Sequence, residues 1–562
     1  MSAKNRKNNF LVQGSILAAA SLIVRIIGLL YRIPMVNIIG DEANGIYTNT
    51  YEVYNIALIL SSYSLPLAVS KLVAVRNEQK EHKNSYRVFV CAMGFGAAVG
   101  LVATLAILFG ADFIEKIFYT NTGIALPLRV LAPTIFVFAI MGVLRGLFQG
   151  KNTMIPTAVS QILEQIVNAA VSIIATSILV KNYSASLDVS SYGAAGGTLG
   201  TLVGACVGLL FLLFIFIIYK PMLKKQLRKD TDKNRESYQD IFKLLLLTVL
   251  PVVLSQTVYQ ISGLIDGSMF TKIMMAKPIS AFELKALGST VTSGIYSPEN
   301  TNTLIGLYSG KYRLLTNVPV AIATAMAAAI VVSLTADKTN GRMDSIRKKA
   351  HAAIKFNMII AIPAAVGMGV LAYPILDLIY NTQPDRTQLT ANLMQLGSVS
   401  IIFFALSSVT TAILQGINRM RVPVINSAIS LGIHVVLIFC LLKFTSLSSY
   451  ALVIGNVTFA LSVSVLNWIS VARYLEYRQE IVKTFLIPTI SAGFMGVAAY
   501  FVYQGFQILT GRNWLAVLIA IVVAVIVYFA LLLFMKGVDE DELEFLPKSA
   551  SIIRFLKKLR LL

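Results

Sequence analysis

Long apolar stretches recur through almost the whole chain and restrict what it can fold into. A run of about 20 apolar residues crosses the hydrocarbon of a bilayer as a helix, and no strand-like alternation is present. Only 13% of the 562 residues are charged, too few to cover a soluble protein of this size. We therefore predict an all-α, polytopic membrane protein with about 14 transmembrane helices, at approximately residues 10–36, 46–70, 88–110, 125–148, 157–180, 193–219, 241–270, 303–335, 352–380, 391–415, 422–442, 449–472, 484–505 and 513–535.

The basic residues lie mostly on one set of connections between these runs, and this asymmetry predicts the orientation. The termini and loops on one side carry 35 Lys and Arg residues, whereas the loops on the opposite side carry 8. Both termini are therefore predicted to be cytoplasmic. The same asymmetry accounts for most of the formal net charge of +21, so the charge does not indicate a nucleic-acid partner.

Three pairs of short motifs recur in the same order along the chain. The offsets between partners are 261, 266 and 258 residues. Six predicted spans separate the members of each pair, so the two halves share one topology and form a parallel repeat. The pairs are Gly45–Tyr51 with Gly306–Tyr312, LFQGKNTMIP (147–156) with ILQGINRMRVP (413–423), and Ser190–Gly193 with Ser448–Ala451.

The repeat predicts how the chain is divided. We expect an N-terminal six-helix lobe (1–235), a C-terminal six-helix lobe (236–480), helices 13 and 14 (481–536), and a basic amphipathic tail on the cytoplasmic leaflet (537–562). Two parallel bundles are a usual frame for alternating access, with the substrate site between them. Because both bundles occur in one chain, we predict a monomer.

Basic residues inside the predicted spans are the candidate substrate-binding residues. A charged residue within the bilayer is costly and usually faces a cavity or a partner. Arg25 lies near the middle of the first span, and Arg32 follows two helical turns later on the same face. Lys311 and Arg313 begin the eighth span. Such a cavity would select an anion, because guanidinium groups fit phosphate or carboxylate oxygens. Arg32 and Lys311 have an alternative role as anchors at the membrane interface.

Two acidic residues inside the spans are further candidates. Glu164 shares a polar helix face with Gln161, Gln165 and Asn168. It either pairs with a cavity arginine and helps to form the substrate site, or protonates and relays a coupling proton. Asp266, near the outer end of the seventh span, is a candidate cation site or a helix cap. No cofactor is predicted, and coupling to sodium or to a proton stays open.

The motifs that carry chemistry in soluble enzymes are missing from the sequence. No Walker A motif is found, so the chain is not itself an ATPase. No clustered acids suggest glycosyl transfer, and no loop is long enough to hold a catalytic domain. We therefore predict a transporter with membrane lipids and an anionic, lipid-linked substrate as its partners.

With its two six-helix bundles, two extra helices, first-span arginines and Gln-Gly-x-Asn-x-Met loop motif, the chain resembles the multidrug/oligosaccharidyl-lipid/polysaccharide (MOP) superfamily. Within it, the likeness is to the MurJ-type lipid II flippases and to polysaccharide exporters similar to stage V sporulation protein B. The resemblance implies export of an undecaprenyl-pyrophosphate-linked peptidoglycan precursor through a cationic central cavity. It also implies coupling to the membrane potential or to a sodium ion, with Asp266 as the candidate ligand.

The resemblance implies roles for particular basic residues. Arg25, in Val24–Gly28, matches the first-helix arginine of the family, and Arg32 lies about one residue from where a second is expected. Arg313 matches the arginine of the eighth helix. The second-helix arginine of some members is missing here, and Lys311 is the candidate substitute. The family also uses helices 13 and 14 as a groove for the polyprenyl tail.

Three other functions compete with this prediction. A multidrug/cation antiporter would share the fold, but such exporters usually have twelve spans and acidic cavities. A flippase for another undecaprenyl-linked sugar, such as an O-antigen or teichoic-acid unit, would share the pyrophosphate and hence the cationic cavity. A regulatory protein on a decayed transporter frame would have no use for arginines in the membrane, which are costly to keep.

Overall fold

The computed structural model describes residues 3–120, 122–230, 235–288, 294–339, 341–380 and 382–537. Helices make up nearly all of these residues, and no β-strand occurs among them. This confirms the predicted all-α fold. The basic amphipathic tail was predicted at 537–562, and all of it except Gly537 lies outside the described residues.

The chain divides into two compact units. The N-terminal unit contains residues 1–277 and 295–306, and two apolar cores join most of its described helices. Short π-helical turns at Ile59–Tyr63 and Glu115–Tyr119 interrupt the α-helices. The helices are α1 (Ala3–Leu58), α2 (Leu65–Glu78), α3 (His82–Ile114), α4 (Ala125–Gly150), α5 (Ile155–Asn182), α6 (Val189–Lys229), α7 (Tyr238–Met274) and, beyond the excursion at 278–294, α9 (Pro298–Ile305).

The C-terminal unit contains residues 278–294 and 307–562. A π-helical segment, Gly306–Arg313, leads into it, and another precedes its last pair of helices at Val482–Leu486. The helices are α8 (Ala281–Leu287), α10 (Leu314–Thr339), α11 (Met343–Val370), α12 (Ala372–Ile379), α13 (Pro384–Gly397), α14 (Ser400–Gly416), α15 (Arg421–Phe444), α16 (Ser449–Leu475), α17 (Ile487–Thr510) and α18 (Asn513–Phe534). An apolar core joins six of these helices, α10, α11, α14, α16, α17 and α18.

Length and hydropathy make this a multi-pass membrane protein. Among the described residues, 11 helices are long and apolar enough to cross a bilayer, or up to 12 if α13 and α14, bent by 45°, form one span. One candidate, Ala19–Glu78, is 60 residues long and contains most of the first predicted span and all of the second, whereas α10 is not a candidate. The exact number of fourteen therefore stays a prediction, as does the orientation of the termini.

The first two predicted spans are separated by a kink at Gly40. Its backbone adopts φ 79° and ψ 179° inside the long helix α1. Because a side chain disfavours positive φ, glycine is suited to this break. The kink divides α1 into a first half, which carries Arg25 and Arg32, and a second half, which begins at Asp41.

Two glycines allow the second half of α1 to cross α9 at very short range. A Cβ atom at Gly45 would overlap the backbone carbonyl of Asn302, and one at Gly306 would overlap that of Asp41. The crossing is also hydrogen-bonded, because Asn44 Nδ2 donates to the Gly306 carbonyl at 3.2 Å. Ser297 starts α9 as its N-cap by accepting a hydrogen bond from the Asn300 amide.

We expect Gly45→Ala to destabilise the N-terminal unit. The added methyl group meets backbone rather than a movable side chain, so the helices must separate, at a cost of about 1–3 kcal/mol or more. Thermal unfolding of the purified protein in detergent measures this. The matched control is Gly94→Ala in α3, where an added Cβ meets nothing within 4 Å. Equal unfolding midpoints for the two variants would contradict the close crossing.

Candidate functional site

The two arginines of the first span lie on the first half of α1 with different surroundings. The side chain of Arg25 is exposed in its unit, whereas Arg32 is half-buried. Arg32 Nη2 donates to Thr48 Oγ1 at 3.4 Å, and its guanidinium carbon lies 5.0 Å from the centroid of the Tyr47 ring. The cation–π contact and the hydrogen bond hold Arg32 against the second half of α1.

A row of tyrosines on the second half of α1 supports this contact. The ring centroids of Tyr47 and Tyr51 are 4.6 Å apart, and those of Tyr51 and Tyr54 are 5.7 Å apart. The Tyr51 hydroxyl bonds to Thr201 of α6. The sequence indicates this motif only as part of the internal repeat. The spacing of four residues between Tyr47 and Tyr51 could have indicated that the two rings are neighbours on one helix face.

The polar face predicted for α5 packs against α1 and α6. The Gln165 amide lies 3.2 Å from where a Cβ of Gly28 would stand, between the two arginines in sequence. Asn168 Nδ2 donates to the Tyr31 hydroxyl at 3.5 Å, and Asn168 Oδ1 accepts a hydrogen bond from Ser172 at 3.0 Å. These amides therefore line the side of α5 that faces the arginine-bearing helix.

Glu164, on the same face of α5, is paired with Arg145 of α4 rather than with an arginine of the first span. Arg145 Nη2 lies 2.8 Å from Glu164 Oε2, and Arg145 Nε donates to Ser160 Oγ at 3.1 Å. The side chains are only 10% and 18% exposed. Arg145 lies near the end of α4, which continues to Gly150, and its side chain is buried in the packed interior. A binding role for Glu164 stays a prediction.

Asp266 is buried on α7 within the N-terminal unit. Glu52 and Asp266 both lie near Tyr119, and Gln260, also on α7, donates to Glu52 at 3.2 Å. A Cβ at Gly267, the next residue, would stand 2.8 Å from Asn49 Oδ1. Carboxylate, amide and hydroxyl oxygens suit a hard cation. No cluster of three or more His, Cys, Asp or Glu residues occurs among the described residues, so the cation site at Asp266 stays a prediction.

The basic residues of the eighth span lie in the π-helical segment that leads into α10. Lys311 is only 3% exposed, and its Nζ donates to Thr382 Oγ1 at 2.6 Å and lies 5.1 Å from the Tyr380 ring centroid. Arg313 is half-buried, with its guanidinium carbon 6.0 Å from the Tyr308 ring centroid. Within the C-terminal unit, Lys311 therefore links the π-helical segment to the residues between α12 and α13.

Lys311→Met is expected to lower the unfolding midpoint of the protein, because it removes a charge-assisted hydrogen bond worth about 1.5–3 kcal/mol. Thermal unfolding measured beside transport separates this structural role from the predicted binding role. Thr382→Val should then lower the midpoint in the same direction. If Lys311→Met abolishes transport at an unchanged midpoint, the tether is not the role of Lys311.

The repeated motif has the same ring geometry in both units. The rings of Tyr308 and Tyr312 are 5.6 Å apart at 38°, and those of Tyr47 and Tyr51 are 4.6 Å apart at 39°. At the offset of 261 residues, Lys311 and Arg313 occupy the positions of Thr50 and Glu52. The two repeats therefore keep one aromatic framework and differ in the charge placed on it.

Comparisons with known proteins agree with this architecture. The family described as "Polysaccharide biosynthesis protein" matches residues 11–331, more than half of the chain, and the family "Lipid II flippase MurJ" matches residues 303–538. The lipid II flippase MurJ of Bacillus subtilis (strain 168) is 26% identical over 508 residues, which are 89% of this chain and 88% of that protein.

One further relative is similar over part of the sequence, and one solved structure is similar in fold. Stage V sporulation protein B of Bacillus subtilis (strain 168) is 33% identical over 174 residues, or 31% of this chain and 34% of that protein. A solved structure of lipid II flippase MurJ in an inward closed conformation covers 92% of this chain and 97% of its own, with a TM-score of 0.64 and 16% identity. At this identity the structure shows a shared fold.

These matches confirm the resemblance drawn from the intramembrane arginines and the loop motif. The polysaccharide biosynthesis family covers the N-terminal unit and the start of the C-terminal unit, and the MurJ family covers most of the remainder. The chain therefore belongs to the polysaccharide biosynthesis protein family, and its C-terminal part also matches the family described as "Lipid II flippase MurJ".

Proposed function

We propose that this protein is a flippase that exports lipid II, the undecaprenyl-pyrophosphate-linked peptidoglycan precursor, across the cytoplasmic membrane by alternating access. The observation that carries the proposal is the placement of basic residues on the membrane helix α1 of one unit and in the π-helical segment that leads into α10 of the other. Arg25 and Arg32 lie on α1, and Lys311 and Arg313 lie in the segment before α10. Similarity over most of the chain to a protein named lipid II flippase supports it.

The chemistry of these residues suits a pyrophosphate. An arginine presents a planar fork of donors that binds phosphate oxygens in bidentate fashion. A cation in a low-dielectric setting binds an anion more strongly than it would in water. The polyprenyl tail would stay in the bilayer, while the basic residues compensate the charge that must cross it. Export of this kind makes the protein a transporter rather than an enzyme.

Complementation tests the proposal. Expression of this chain in a strain depleted of its own lipid II flippase should restore growth. Failure of the protein to restore growth, when it is confirmed in the membrane, would contradict lipid II as its substrate. Cation coupling at Asp266 is tested by withdrawing sodium. Transport by the wild type should then fall, whereas transport by Asp266→Asn should not change. Transport by the wild type that does not depend on sodium would contradict a sodium site at Asp266.

The similar proteins also support a second substrate class, another polyprenyl-linked polysaccharide unit. The family that covers most of the chain is described by polysaccharide biosynthesis, and stage V sporulation protein B is also similar. Another polyprenyl-linked polysaccharide unit carries the same pyrophosphate, and the same basic residues would bind it. Rescue of a strain that lacks the flippase for such a unit, without rescue of lipid II export, would favour this alternative. The cationic residues argue against a multidrug/cation antiporter.

A further inference from the structure

A cavity of about 800 Å³ lies in the N-terminal unit beside the loop that joins α4 to α5. The ends of α2, α3, α4 and α6 surround it. Its volume is in the range of small-molecule sites. The surrounding loops belong to the side of the membrane that the basic residues predict to be cytoplasmic. The residues proposed to bind the exported substrate do not line it.

A lysine without a carboxylate partner faces this cavity. Lys151 Nζ donates to Gln226 Oε1 at 2.8 Å and lies 5.3 Å from the Tyr219 ring centroid. Among the described residues, no carboxylate lies within ion-pair distance of it. Burial accordingly lowers the pKa of Lys151 to about 8. A bound anion would restore the charged form by supplying the missing counter-charge.

Two further polar atoms around the cavity lack partners. Asn77 Oδ1 and His82 Nδ1 are buried, and neither has a hydrogen bond within the described part of the chain. Asn77, His82 and Glu78 all line the cavity. Buried polar groups are normally satisfied, so these atoms indicate that a polar molecule occupies the space. The acceptors at Asn77 and Glu78 suit hydroxyl groups, whereas Lys151 and His82 suit an anion.

The internal repeat shows that the turn itself does not require a lysine. The equivalent of Lys151 in the loop between α14 and α15 is Ile417, which is 5% exposed. The backbones agree closely, with φ −94° and ψ 16° at Lys151 and φ −89° and ψ 14° at Ile417. The following residues, Asn152 and Asn418, both have positive φ. The same turn therefore folds around an apolar residue, and the charge in the N-terminal unit needs another explanation.

The outer flank of the cavity is apolar and faces away from the protein. Ile215, Ile218 and Met222 line it from α6, and Ile218 and Met222 are 61% and 57% exposed. Because α6 is a candidate membrane span and the predicted span within it ends at residue 219, this exposed apolar flank is expected at the membrane interface. A molecule in the cavity would thus contact polar groups on its inner side and apolar side chains on its outer side. A molecule that fits both surroundings is an amphiphile.

We propose that this cavity binds the headgroup of an anionic glycerophospholipid of the phosphatidylglycerol type from the cytoplasmic leaflet. The phosphate lies at Lys151 and His82, the headgroup hydroxyls face Asn77 and Glu78, and an acyl chain follows Ile218 and Met222. This is a structural lipid site, separate from the proposed transport function.

Thermal unfolding of the full-length protein in detergent, with phosphatidylglycerol or phosphatidylcholine added, tests the proposal. Phosphatidylglycerol should raise the midpoint of the wild type by several degrees more than phosphatidylcholine, because a ligand of the native state stabilises it. Lys151→Ile, which copies the residue of the other repeat, should keep its midpoint in phosphatidylcholine and lose the extra increment.

The matched control is Lys225→Ile, which removes an equal charge from an exposed position on α6, the helix that carries Gln226. This variant should keep the increment. An increment that survives Lys151→Ile, or that falls equally in both variants, would overturn the proposal in favour of general attraction to anionic lipid. Equal stabilisation of the wild type by inorganic phosphate alone would overturn the lipid assignment and indicate a soluble phosphate compound.

Discussion

Arg25→Ala is expected to abolish export of the lipid-linked substrate while the protein still inserts and folds. Arg25 is exposed within its unit, on an apolar helix, so little packing is lost. The loss of a charged partner for a desolvated phosphate costs about 2–5 kcal/mol, which corresponds to a loss of transport of at least about 30-fold. Transport by the reconstituted variant, normalised to the amount of folded protein, measures the effect.

Two variants make the prediction for Arg25 specific. Arg129→Ala removes an arginine from the start of α4, where it pairs with Asp112 and is 43% exposed, and it should transport like the wild type. Arg25→Lys keeps the charge but not the fork of donors, and should retain intermediate activity. Wild-type transport by Arg25→Ala would remove this residue from the substrate site.

Arg145→Met is expected to give the largest loss of stability. It leaves the Glu164 carboxylate buried without its partner, and breaking a buried ion pair in this way costs about 3–5 kcal/mol. Glu164→Leu should cost a similar amount for the complementary reason. The double variant should be more stable than either single one, because no uncompensated charge remains. Unfolding of the wild type, the two single variants and the double variant in detergent measures the four stabilities of this double-mutant cycle.

Transport by the same four proteins decides between the roles of Glu164. If the double variant is stable and transports, Glu164 acts only as the partner of Arg145. If it is stable but inactive, the carboxylate is needed as a charge or as a proton carrier. Strictly additive losses of stability would contradict the ion pair itself.

The membrane helices and the repeat could be predicted because both follow from local patterns in the chain. Hydropathy marks each apolar run, and the motifs around Tyr47 and Tyr308 recur at one offset. The kink at Gly40 was not predicted, because a single glycine inside a helical pattern is usually tolerated. The π-helical segment at Gly306–Arg313 has no comparable signal in hydropathy.

The surroundings of the charged residues were much less predictable. Lys311 binds Thr382, which lies 71 residues further along the chain, and nothing local indicates that pairing. Arg145 lies near the end of a predicted span, and nothing in that position indicates its contact with Glu164 between α4 and α5. Sequence position gives the depth of a charge in the membrane, but its partner depends on which helices pack together.

Flipping of lipid II by the purified protein in proteoliposomes tests the central claim most directly. The vesicles contain lipid II in both leaflets, and an external reagent modifies the headgroups that it can reach. The lipid II of the inner leaflet should become accessible to this reagent only when the wild-type protein is present. Arg25→Ala vesicles should match protein-free vesicles. An inner-leaflet fraction that stays protected with folded wild-type protein, under a membrane potential and with sodium present, would contradict lipid II as the substrate.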